Sequence, residues 1–99
     1  MTMQEFNEAI KTGVVIVDFY ATWCGPCKML APAFDELASG LSDKASFFKV
    51  NVDQGMEVAQ AYRISSVPSM VIFKDGHPQE ALTGFMPKAV LEEKIKVYL

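Results

Sequence analysis

The 99 residues contain only two cysteines, Cys24 and Cys27, set in the run Trp23-Cys24-Gly25-Pro26-Cys27. Thiols at this spacing either close into a small disulfide or stand apart as a dithiol, and passage between those states is a two-electron reaction. The run follows an apolar stretch and leads into a helical pattern. Cys24 is therefore expected at a helix N-terminus, where unpaired N–H groups and the helix dipole favour an anion. The thiolate is the nucleophile, so this placement activates Cys24. Gly25 allows the tight turn, Pro26 enters the helix with φ preset, and Cys27 lies one turn on, within reach of a mixed disulfide at Cys24. A structural zinc site needs four ligands. The chain offers one cysteine pair and a single histidine, His77, so a metal would require ligands from a second molecule. An inert disulfide would close too small a loop to constrain the unfolded chain much. Redox chemistry is the favoured reading and no metal is expected.

Other residues qualify the pair. Asp18 interrupts the apolar run Val14–Tyr20. A lone carboxylate there is costly to ionise, so its pKa should rise. It is either a buried Asp satisfied by a local polar partner or a proton acceptor tuned toward neutral pH. Lys49, in the next predicted strand, is either its charge partner or a strand-edge lysine with its head in water. Pro68 opens a further apolar run, where proline suits only a strand start. Trp23 beside the thiol favours a contact role. Gly84 reads as a turn glycine and His77 as a solvated turn residue.

The elements that must position these residues alternate. Thr2 and Glu5 form a capping box for a helix carrying Phe6 and Ile10, with Gly13 as its stop. Val14–Tyr20 reads as a strand buried on both faces. A long helix follows through Leu30, Phe34, Leu37 and Leu41, with Pro32 inside it and Gly40 at its end. Ala45–Val52 is a second strand. Asp53 is the expected N-cap of a short helix reaching Tyr62. Val67–Phe73 is a third strand, Asp75-Gly76 a hairpin turn, Gln79–Leu82 a fourth strand, and Pro87 begins a last helix with Leu91, Ile95 and Tyr98 on its apolar face. This order implies an α/β fold: a mixed four-stranded sheet flanked by helices on both faces.

Length predicts one domain over residues 1–99, and 51% hydrophobic content supplies a core without staples. A net charge of -3 with interspersed signs argues against a nucleic-acid partner. No apolar run is long enough to span a bilayer, and the N-terminus does not read as a signal peptide. Two cysteines in a core-forming chain point to a reducing compartment, hence the cytoplasm.

The segment Val17-Asp18-Phe19-Tyr20-Ala21-Thr22-Trp23-Cys24-Gly25-Pro26-Cys27-Lys28 strongly resembles the thioredoxin family. The resemblance continues through Pro32, Lys49, Asp53, Val67-Pro68-Ser69, Phe73-Lys74-Asp75-Gly76 and Thr83-Gly84, and so covers nearly the whole chain. A lowered thiol pKa is a documented property of that family rather than a deduction from these residues. The resemblance implies a thioredoxin fold and a protein dithiol–disulfide oxidoreductase that reduces target disulfides. Cys24 would attack as the exposed thiol. Cys27 would resolve as the sheltered one. Asp18 would help deprotonate Cys27, with Lys49 modulating it, and Pro68 would be a cis-proline against the cysteines. Trp23, Gly25, Pro26, Ile64, Val67, Gly84 and Phe85 would form the docking rim, with the Val67 backbone pairing an extended substrate. The implied partners are disulfide-containing proteins and a thioredoxin reductase that supplies electrons, with no cofactor beyond the redox-active disulfide. The alternative is a non-catalytic thioredoxin-like binding module.

Four departures from the family pattern stand out. The chain begins at the first helix, whereas many members carry a strand before it. Tyr20 stands where many bacterial members have Trp, Ser66 where many have Gly, and Phe85 is bulkier than the usual residue after Gly84. The first departure exposes the strand holding Phe47 and Phe48 as an edge. A monomer is expected, with edge-strand dimerisation as the alternative.

Overall fold

The computed structural model describes residues 1–99. The elements follow in the order α1 (Met3–Ala9), β1 (Val14–Tyr20), α2 (Gly25–Gly40), β2 (Ser46–Asn51), α3 (Met56–Ala61), β3 (Ser69–Lys74), β4 (His77–Thr83) and α4 (Lys88–Lys96). The four strands form one sheet in the order β2-β1-β3-β4. β1 runs parallel to β2 and antiparallel to β3, and β3 is antiparallel to β4. This is the mixed sheet expected from a β-α-β segment followed by a hairpin. Thr2 caps α1 with the reciprocal Glu5 bond, and Asp75 and Gly76 both take positive φ in the hairpin turn.

Alternation along β1 decides what lies under each helical layer. Val15, Val17 and Phe19 join Phe6, Ile10, Val58, Val71 and Phe73 in one cluster, which α1 and α3 supply. Ile16 joins Leu30, Phe34, Leu37, Ile72, Leu91 and Ile95 in the other, which α2 and α4 supply. Asp18 shares the parity of Ile16. It therefore points to the α2 side, where the cysteines are. In β2, Phe47 packs with that same α2 cluster, so Lys49, two residues on, shares the face of Asp18. The register sets Asp18 directly opposite Lys49.

Several boundaries differ from those read in the sequence. β3 begins at Ser69, which leaves Val67 and Pro68 in the loop before it. β4 runs from His77 to Thr83, longer than expected, and a register shift at Ile72/Phe73 accommodates Gln79 as an extra residue. α3 begins only at Met56, with Gly55 rather than Asp53 as its N-cap. Asp53 lies two residues before that cap, and its carboxylate has another partner, described below.

Candidate active site

Cys24 and Cys27 are joined as a disulfide. Cys24 is the N-cap of α2, with Pro26 in the first turn. The Cys27 amide donates to Cys24 Sγ at 3.2 Å, so the sulfur takes the place that a serine or aspartate oxygen holds at ordinary caps. When the disulfide opens, that N–H and the helix terminus stabilise negative charge on this sulfur. Cys24 Sγ also lies 3.7 Å from the Val67 carbonyl oxygen. The expected contrast between an exposed and a sheltered cysteine is corrected: each is 5% exposed. The asymmetry lies in the neighbours. Cys24 meets an amide donor and the Val67 loop, whereas Cys27 lines an open cleft of about 360 Å³ with Asp18, Tyr20, Ala21, Thr22, Lys28, Ala31 and Lys49.

Asp18 is 2% exposed, and its Oδ1 has no hydrogen-bond partner within the protein. The reading of Asp18 as a carboxylate satisfied by a local partner is thereby corrected for that oxygen. Burial pushes the carboxyl up to about 6; the Lys49 charge pulls it down and the Asp35 charge adds to the rise. Lys49 is not the direct ion-pair partner of Asp18. Its ammonium bonds Asp35 Oδ1 at 2.8 Å and sits 5.9 Å from the centre of the Phe34 ring. Asp35 escaped the sequence reading because an acidic residue on a helix surface looks like any solvated face.

The expected docking residues fall into three groups. Trp23, Ile64 and Val67 line a second hollow with Val52, Ser65 and Ser66. Trp23 is 69% exposed, yet its indole is fixed: Nε1 donates to Asp53 Oδ2 at 2.9 Å. Gly25 and Pro26 are exposed at the start of α2. The Val67-Pro68 bond is cis. The Gly84 amide donates to the Pro68 carbonyl at 2.8 Å, which brings Gly84 beside the proline and carries Phe85, 44% exposed, on the adjoining loop. No group of three or more His, Cys, Asp or Glu side chains is placed to hold a metal ion.

A sequence model of the family described as Thioredoxin matches residues 1–97. The chain belongs to the thioredoxin family. The thioredoxin of Staphylococcus epidermidis is 43% identical over 99 residues, all of this chain and 95% of that protein. The Staphylococcus aureus thioredoxin is 42% identical over the same span. Among solved structures, Plasmodium falciparum thioredoxin superposes with a TM-score of 0.91 at 36% identity, covering 99% of this chain and 95% of that one. Malassezia sympodialis thioredoxin gives a TM-score of 0.88 at 35% identity, covering 98% and 85%. This thioredoxin-family chain is a dithiol–disulfide oxidoreductase whose redox-active pair is Cys24 and Cys27. Its partners are, in general terms, disulfide-containing targets and a reductase.

Proposed function

We propose that Cys24 is the attacking thiol and Cys27 the resolving one. The observation that carries this reading is the Cys27 amide on Cys24 Sγ at the helix N-terminus, combined with Cys27 and Asp18 on a shared cleft. Cys24 thiolate attacks one sulfur of a target disulfide. A Cys24–target bond forms, the target S–S bond breaks, and the departing target thiolate takes a proton. Cys27 then loses its proton to Asp18, directly or through solvent in the cleft, and attacks Cys24 Sγ. The second target thiolate leaves, and two electrons have passed from the protein to the target. Burial of Asp18 serves this step because a carboxylate with a pKa of about 6 accepts a thiol proton better than an ordinary one, yet remains ionised at neutral pH.

Docking uses the Val67 backbone as a strand edge for the target, with Trp23, Gly25, Pro26, Ile64, Gly84 and Phe85 as an apolar rim and Pro68 holding the loop beside the sulfurs. Lys49 modulates Asp18. The electron donor is a thioredoxin reductase, no bound cofactor is needed beyond the cysteine pair, and the working compartment is the cytoplasm. No helix is long and apolar enough to cross a membrane.

Insulin-disulfide reduction tests the assignment. Cys24→Ser abolishes turnover, and Cys27→Ser accumulates the mixed disulfide with the target. Turnover retained by Cys24→Ser would overturn the proposal. Redox titration tests the direction. A midpoint near the roughly -270 mV of thioredoxins supports a reductant, and one near the roughly -120 mV of a periplasmic oxidant refutes it.

A further inference from the structure

We propose that Asp35 is a positioning residue of the exchange reaction: by holding the Lys49 ammonium against α2, it keeps that charge off Asp18 and preserves the carboxylate's affinity for a proton. The inference builds on the reading of Asp18 as the proton acceptor.

Three placements carry it. Lys49 stands directly opposite Asp18 on adjacent strands. Strands about 4.8 Å apart set the two side chains next to each other on one face. Both line the cleft that Cys27 also lines. A lysine in this position shares a face with a buried carboxylate oxygen that has no protein partner. The ammonium is instead drawn to consecutive residues of α2, neither of which lines that cleft. Asp35 Oδ1 accepts at 2.8 Å, and the Phe34 ring lies beneath at 5.9 Å.

The magnitudes show why this placement matters. A cation brought within about 4–6 Å lowers a carboxylate pKa by roughly 1–3 units. That would cancel most of what burial has raised and leave Asp18 an ordinary weak base. A lysine held on Asp35 still tempers the burial cost without abolishing the shift, in keeping with its secondary, opposing effect on Asp18. The charged and titratable groups around Asp18 are Tyr20 on β1, Cys27, Lys28 and Asp35 on α2, and Lys49 on β2. Of these, only Asp35 and Lys49 are ion-paired with one another.

The test is a carboxyl 13C NMR titration of Asp18 in the oxidised protein, where neither cysteine titrates. In Asp35→Asn the midpoint falls by about one unit or more as Lys49 turns to Asp18. In Lys49→Gln the midpoint rises, and adding Asp35→Asn to that variant produces a much smaller drop. Glu36→Gln, which removes a neighbouring charge paired with Lys88 instead, leaves the midpoint in place. An unchanged midpoint in Asp35→Asn overturns the proposal. So does an equal drop with and without Lys49, since Asp35 would then act by its own field alone. The rate at which a trapped Cys24 mixed disulfide resolves, followed from pH 5 to 9, is read separately. If the Asp18 midpoint falls as stated while that rate keeps its profile, the positioning by Asp35 stands and the proton-acceptor role of Asp18 fails.

Discussion

At the scale of single residues, the site is a contrast between a sulfur that is helped to be an anion and a carboxylate that is hindered from being one. Cys24 gains an amide donor and a helix terminus. Asp18 loses solvent and receives no partner on Oδ1. That hindrance has a consequence for stability. The folded carboxyl titrates at about 6 against an ordinary 3.8, so the folded state binds the proton more tightly than the unfolded chain. The contribution of Asp18 to stability is therefore fully present below pH 4 and is lost as pH rises through 6, a change on the order of 3 kcal/mol. Asp18→Asn removes this dependence. In urea denaturation it is expected to be more stable than the parent at pH 8, by up to about 3 kcal/mol. The difference should shrink toward zero, or reverse if the amide lacks a partner, at pH 4. A constant difference across that range would show that the carboxylate is not held against its charge. The cysteine pair and the buried Asp were legible in the sequence because each breaks a local pattern. Asp35 was not, since its meaning depends on Lys49 reaching it from β2, and nothing in a helical repeat encodes that.

Secondary-structure elements explain which other parts could be read in advance. Apolar periodicity located every helix and strand, and the α2 face of Asp18 follows from its parity with Ile16. The loop between β2 and α3 resisted such reading. Asp53 has the form of an N-cap, but it serves Trp23, 30 residues away in sequence, and a local rule cannot see that competition. The loop is thus a brace for the Trp23 indole. Asp53→Ala should release the indole, change the emission of the only tryptophan and raise KM for a protein disulfide several-fold with little effect on kcat. Asp53→Asn, which retains an acceptor oxygen, should recover much of the loss. Equal KM values in all three proteins would remove the brace. The β3–β4 turn is the opposite case, fully legible as Asp-Gly. Gly76 has φ +87 with only the Lys11 carbonyl oxygen near a would-be Cβ, at 3.8 Å, so the cost of Gly76→Ala is conformational. A loss of about 1–2 kcal/mol is expected, seen as a lower denaturation midpoint at unchanged slope.

For the whole molecule, the open question raised by the sequence is what happens at the two ends of the sheet, because strand edges invite pairing with another chain. The β4 end is interrupted. Pro78 lacks an N–H, and the register shift at Ile72/Phe73 breaks the ladder beside it. The β2 end looked more hazardous, with two phenylalanines in a strand that has a neighbour on one side only. Both rings turn inward. Phe47 packs edge-on against Phe34 with centroids 5.5 Å apart, and Phe48 packs on the cluster beneath α1 and α3. Each ring is nonetheless only half-buried, and the exposed residues of the edge are Ser46 and Lys49, the charge of the latter having to be desolvated by any strand laid against it. A radius of gyration of 12.3 Å matches the roughly 13 Å of a compact chain this long. Sedimentation velocity from micromolar to millimolar protein should therefore give one species of 11.0 kDa. Lys49→Val, which strips the edge of its charge and raises its strand propensity, should produce a concentration-dependent dimer under the same conditions. A dimer of the unaltered chain, or a Lys49→Val protein that stays monomeric throughout, would show that the lysine is not what guards this edge.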